Sequence, residues 1–86
     1  MNIKISVIDM FNRVIRVFNK ILITGKAAKS DFTRIMRYML RIAMRVPGFY
    51  DLDKSFDGKA ISPSRKFAML RMHINRMLKL GLVRGE

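Results

Sequence analysis

The chain contains no cysteine and no tryptophan, and only one histidine, two prolines and six acidic residues among 86. Each scarcity excludes something. Without cysteine there is no disulfide staple, no thiolate zinc site and no thiol nucleophile. His73 has no second histidine and few acids to join it, so neither a metal site nor a catalytic triad assembles within one chain. The sequence therefore reads as non-enzymatic, with no catalytic residue, no metal and no cofactor. Asp51, Asp53, Ser55, Asp57 and Gly58 imitate the start of a calcium loop counted from Asp53. The twelfth position is Ser64 rather than a bidentate Glu, however, and Pro63 intrudes. Those carboxylates read instead as turn formers and as local partners for basic faces. No run of 18 apolar residues exists, which excludes a transmembrane helix. Asp9, Arg13 and Arg16 interrupt any secretory h-region. The expected location is the cytoplasm or the inside of a virion.

What is abundant is positive charge on an apolar background. Lys and Arg total 18, the formal net charge is +12, and half of the residues are hydrophobic. Eight Met and six Phe are too many for a disordered basic tail. The length suits one domain, small enough to bury only about 60–65% of its unfolded surface, so a partner or a second copy would help it. The charge divides by position: +8 over residues 1–46, −1 over 47–61 and +5 over 62–86. A single-sign excess of this size attracts polyanions: nucleic acid, an anionic membrane or an acidic protein.

The pattern predicts an all-α fold, a small bundle of three main helices at about 3–24, 31–46 and 63–80, with a turn-rich loop at 47–61. In the first helix Asp9, Asn12, Arg13, Arg16, Asn19 and Lys20 fill an arc of about 120°, and apolar residues fill the rest. So wide an apolar face suits a helix sandwiched between elements or set against another subunit, with Ile8, Phe11, Val14, Ile15 and Phe18 as interface candidates. Gly25 is a natural stop. Ser30 reads as the N-cap of the second helix, with Asp31 suited to its positive first turn, and Val46-Pro47-Gly48 ends it. The loop has room for a short helix, or for a hairpin at Asp57-Gly58. Ser62-Pro63 opens the third helix. Gly81 closes it, with Leu82 placed to fold back as in a Schellman motif. Met69, Met72 and Leu80 share the far side of this helix with Arg65 and Arg76, too apolar for a solvated face, and are further interface candidates. Met44 is another.

The sharpest feature is Arg34, Arg37, Arg41 and Arg45, spaced 3, 4 and 4 along one helix face. Steps of about 5–6 Å between such positions could follow a phosphate backbone. A solvated face ordinarily mixes signs, yet this one has no acid after Asp31. Tyr38, Phe49 and Tyr50 are aromatic groups that could stack on bases, although core packing is the commoner use.

Ser62, Ser64 and Arg65 at a helix start, followed by Ile74, Leu78, Gly81, Leu82 and Val83 at its exit, give residues 62–86 a pattern that resembles the recognition helix and following strand start of winged helix-turn-helix DNA-binding domains. The resemblance covers about a quarter of the chain and implies a helix in the major groove, with Ser64, Arg65, Lys66, Arg71, His73 and Arg76 as contacts. Together these readings point to a non-enzymatic nucleic-acid-binding protein that contacts phosphates through Arg-rich helix faces, DNA being slightly favoured over RNA, and that forms a homo-oligomer or joins a larger protein assembly. Two alternatives follow from the same features. One is a structural component of a virion or other nucleoprotein assembly, packed through its wide apolar first helix. The other is an amphipathic membrane-surface protein.

Overall fold

A computed structural model describes residues 5–86. Four helices follow in order: α1 (Val7–Thr24), α2 (Lys29–Arg45), α3 (Phe49–Ser55) and α4 (Pro63–Lys79). No strand occurs among the described residues. The all-α expectation and its three long helices are met in outline. Positions 3 and 4 of the expected first helix lie outside the described residues, and the helix itself begins at Val7.

Local signals set most of the boundaries. Ser6 caps α1, its hydroxyl accepting the Asp9 N–H at 3.1 Å. Gly25 ends it at φ +66° and donates its N–H to the Ile21 carbonyl at 2.8 Å. α2 starts two residues earlier than Ser30 implies. Its N-cap is Ala28, which has no side-chain acceptor, and Asp31 in the third helical position reaches back to accept the Ala28 N–H at 3.0 Å. Ser62 caps α4 by accepting the Arg65 N–H at 3.3 Å, ahead of Pro63. The Schellman motif forms at its far end: Leu82 N–H donates to Met77 O and Gly81 N–H to Leu78 O, both at 3.0 Å. The residue that folds back into the core is Val83, 6% exposed, whereas Leu82 points outward.

The stretch 47–61 is more ordered than a turn-rich loop. Gly48 at φ +76° turns the chain immediately into α3, and no hairpin forms at Asp57-Gly58. α3 lies before α4 as the first element of a helix pair, separated from it by residues 56–62.

The helices touch as a ring: α1 packs on α2, α2 on α3, α3 on α4 and α4 on α1, while the α2 and α4 backbones stay apart and meet only through side chains in the core. The core fills the centre. Phe11 meets Phe49 and Phe67 edge to face at centroid distances of 6.3 and 5.9 Å, and Ile42, Leu70 and Ile74 close around them with no exposure. Each such side chain contributes about 1.5–3 kcal/mol relative to exposure. The ring is flat, with Cα extents of 38 × 37 × 15 Å.

Candidate nucleic-acid interface

The short link between Gly25 and Ala28 makes α1 and α2 antiparallel neighbours. This brings the polar arc of α1 alongside the Arg stripe of α2. A shallow depression between the helices is lined by Arg13, Arg16, Lys20, Arg34 and Tyr38. It continues along α2 past Thr33, Arg37 and Arg41. Tyr38 is the hinge of the two halves: its hydroxyl accepts a hydrogen bond from Arg13 at 3.0 Å, and the same guanidinium lies 5.9 Å from its ring centre. That hydrogen bond from Arg13, with the positive charge of Arg13, Arg34 and Arg41, holds the phenol below its ordinary value of 10.0. The phenol thus registers a positive local potential.

Among the described residues, no carboxylate lies within ion-pair distance of Arg13, Arg16, Arg34, Arg37 or Arg41. All five are exposed. Asp9 stands at the start of the α1 arc without pairing to them. Asp31, the other acid nearby, is buried and taken up by the Ala28 N–H and by Lys20, whose Nζ is 3.2 Å from both carboxylate oxygens.

Arg45 does not belong to this face. Its Nε donates to Arg84 O at 2.8 Å and its Nη1 to Ile5 O at 2.9 Å. Its Nη2 meets Glu86 Oε1 at 3.2 Å as an ion pair without hydrogen-bond geometry. The side chain is a structural clamp rather than a phosphate contact. The stripe of four is therefore a stripe of three, and α1 supplies the remainder.

On α4 the expected contacts divide. Ser64, Arg65 and Arg76 are exposed. Lys66 is paired to Asp53 of α3 at 3.1 Å. Arg71 turns inward, donating to Asn12 Oδ1 at 2.6 Å and lying 5.4 Å over the Phe11 ring. His73 donates its Nε2–H to the Pro47 carbonyl at 2.6 Å, pinning α4 to the turn before α3. These three are engaged by partners within the ring. The residues after α4 form no strand start: Arg84 N–H donates to Arg45 O at 2.8 Å instead.

The expected interface residues divide as well. Phe11 and Val14 are wholly buried in the molecule's own core, because α2 and α4 flank α1 on both sides. Ile8, Ile15 and Phe18 are half-buried, Phe18 against Phe67 at 5.2 Å. Met69, Met72, Leu80 and Met44 remain exposed. Phe49 is buried and unavailable for stacking, while Tyr50 is exposed. Arg13 and Arg16 were hidden from the sequence pattern because, taken alone, the polar arc of α1 reads as an ordinary solvated face. The short 25–28 link was the signal that could have joined them to α2.

No family model matches the chain, and no curated protein or solved structure matches it. No helix among the described residues is long and apolar enough to cross a membrane. No group of three or more His, Cys, Asp or Glu among them is placed to hold a metal ion.

Proposed function

We propose that the protein is a non-enzymatic nucleic-acid-binding protein that grips the phosphate backbone through the shared face of α1 and α2. The observation that carries this reading is the group Arg13, Arg16, Arg34, Arg37 and Arg41, five exposed guanidiniums from two helices with no carboxylate partner. Like charges at helix i,i+4 spacing repel mildly, so this face gains from a polyanion that offsets them. Arginine forks onto phosphate oxygens more specifically than lysine does. In this reading Arg65 and Arg76 on α4 add a second, sparser basic surface. The depression around Tyr38 is open to solvent, so it suits a backbone running across it rather than an enclosed small molecule.

The test is the salt dependence of affinity for a duplex of arbitrary sequence, measured by fluorescence anisotropy. Five neutralised phosphates give a slope of log K against log salt near about −4.5. The triple variant Arg34→Ala, Arg37→Ala, Arg41→Ala keeps two contacts, and its slope is expected near about −1.8. A salt-independent affinity, or an unchanged slope in the variant, overturns the proposal.

The assembly-component alternative shares this basic face and needs an apolar docking surface elsewhere, for which α2 and α4 offer exposed Met, Leu and Phe side chains. The membrane-surface alternative relied on the apolar face of α1. That face is largely occupied by the molecule's own core, with Val7, Met10, Phe11, Val14 and Val17 buried.

A further inference from the structure

Beside the basic face, α2 carries a row of Phe32, Met36, Leu40 and Met44 at i,i+4 steps. They are 55, 65, 58 and 75% exposed, and Tyr50 beside them is 55% exposed. At 100° per residue, the centre of the Phe32, Met36 and Leu40 row lies about 130° around α2 from that of Arg34, Arg37 and Arg41, and the row approaches the Arg stripe at Met44. Phe32, Met36 and Leu40 form one wall of an apolar groove of about 430 Å³ that Phe18, Met39 and Phe67 also line. We propose that this groove is a homodimer interface in which the Phe32-Met36-Leu40 ridge of each copy seats in the groove of the other about a two-fold axis near Met36.

Four observations favour a second copy over another occupant. First, the surface is self-complementary. The row 32-36-40 is a ridge, and the parallel row Ile35-Met39-Ala43 beside it leaves a furrow. Ridges of i±4 rows packed into the same furrows are the commonest helix crossing, at about −50°, and a two-fold axis supplies both partners from one sequence.

Second, charge favours this surface over the outer face of α4. The chain carries +12, so two copies repel over most of their surface. The groove lining holds three charged residues, Asp53, Lys54 and Lys66, and Asp53 pairs with Lys66. About an axis at Met36, pairing through it turns Arg34 and Arg41 away from the partner and leaves Arg37 at the rim. The outer face of α4 is apolar too, but Arg65, Arg76 and Lys79 interrupt it, and self-pairing there would set like charges together.

Third, the area suffices. With roughly 200 Å² for each large side chain, Phe32, Met36, Leu40, Met44 and Tyr50 would together withdraw about 1,200 Å² in a two-fold pair, where specific interfaces begin. Fourth, the fold lacks a layer. The Cα radius of gyration is 13.3 Å, against about 12 Å for a compact chain of this length. Helical domains bury their apolar stripes between two layers, and the copy supplies the second one.

The proposal does not rest on the nucleic-acid reading, and its test uses none. Sedimentation equilibrium is run on nuclease-treated full-length chain in about 0.5 M salt, where repulsion is screened. A discrete dimer at low micromolar concentration is expected. Met36→Lys sets two ammonium groups at the axis and should raise the dissociation constant about 100-fold or more, with unchanged helical circular dichroism because the position is exposed. Met72→Lys, equally exposed on the outside of α4, should leave the dimer intact. A chain monomeric at about 100 μM, open-ended oligomers, or a dimer that tolerates Met36→Lys or is lost with Met72→Lys each overturn it. A monomer that instead binds vesicles of anionic lipid, or an added amphipathic helix, overturns it in favour of that occupant. Retention of the dimer in the Arg34, Arg37, Arg41 triple variant together with its flattened salt slope for duplex binding separates the two proposals.

Discussion

Of the acids that the structure places, Asp31 is the one that the fold buries. A lone buried carboxylate is costly, and this one is satisfied from two directions: the Ala28 N–H at the head of α2 and the Lys20 ammonium of α1. The Ala28 hydrogen bond chiefly, and then Lys20, hold its carboxyl below the ordinary 3.8. The sign follows from linkage. A carboxyl depressed on folding contributes stability that is fully present above its unfolded value and disappears as pH falls through the folded value. Asp31→Asn keeps an acceptor for Ala28 but loses the charge. It is expected to be less stable than the parent at neutral pH, with the gap closing below about pH 4. Urea denaturation across a pH series measures this. A gap that stays constant down to pH ~2 would show that the charge of Asp31 is irrelevant to the fold. The sequence pointed to Asp31 for its helix-dipole position, and that part was legible. Its pairing with Lys20 was not, because that depends on α1 lying alongside.

At the scale of elements, what was legible depended on length and on local chemistry. α1, α2 and α4 each run for 17 or 18 residues, long enough for a 3.6-residue period to repeat four times and declare itself. α3 spans seven residues, two turns, and its sequence FYDLDKS is rich in residues that favour turns, so periodicity gave no signal. Its existence depends on a contact between elements. Gly48 adopts φ +76°, and a Cβ there would stand 3.1 Å from His73 Cε1 and 3.2 Å from Nε2. The ring cannot retreat, because its bond to Pro47 O at 2.6 Å fixes it. Gly48→Ala should therefore cost about 2–3 kcal/mol, left-handed strain plus overpacking. Gly58→Ala has the same φ and nothing within 4 Å, so it should cost only about 1 kcal/mol. Chemical denaturation of the two variants reads the difference. Equal losses would mean that His73 does not brace the turn. Adding His73→Ala to Gly48→Ala should recover the steric part, a coupling that a double-mutant cycle detects.

At the scale of the whole molecule, the flat ring leaves the arginines with two kinds of work, and only tertiary structure tells them apart. Arg41 and Arg45 are one helical turn apart and look alike in sequence. Arg41 stays on the open basic face, whereas Arg45 joins both ends of the described chain to α2. Its guanidinium holds Ile5 O and Arg84 O and faces Glu86, its own carbonyl accepts the Arg84 N–H, and Glu86 Oε1 accepts the Val7 N–H at 2.7 Å. Val83 packs in the core with Ile42 and Val46, and this clamp adds the polar fastening of the segment after α4 to α2. Methionine at position 45 preserves the apolar stem and removes every polar contact of the side chain. Two hydrogen bonds from a charged donor at a half-buried site contribute about 3 kcal/mol together, so Arg45→Met should lose about that much in denaturant unfolding. The Val7 and Arg84 amides should lose hydrogen-exchange protection, since both bond to groups that the clamp positions. In nucleic-acid binding the two arginines should separate in the opposite sense. Arg41→Met should leave stability within about 0.5 kcal/mol and flatten the salt slope by about 0.9, one phosphate's worth, while Arg45→Met should leave the slope alone. If Arg45→Met flattens the slope as Arg41→Met does, the clamp opens on binding and position 45 returns to the phosphate-contacting stripe that its spacing in the sequence implies.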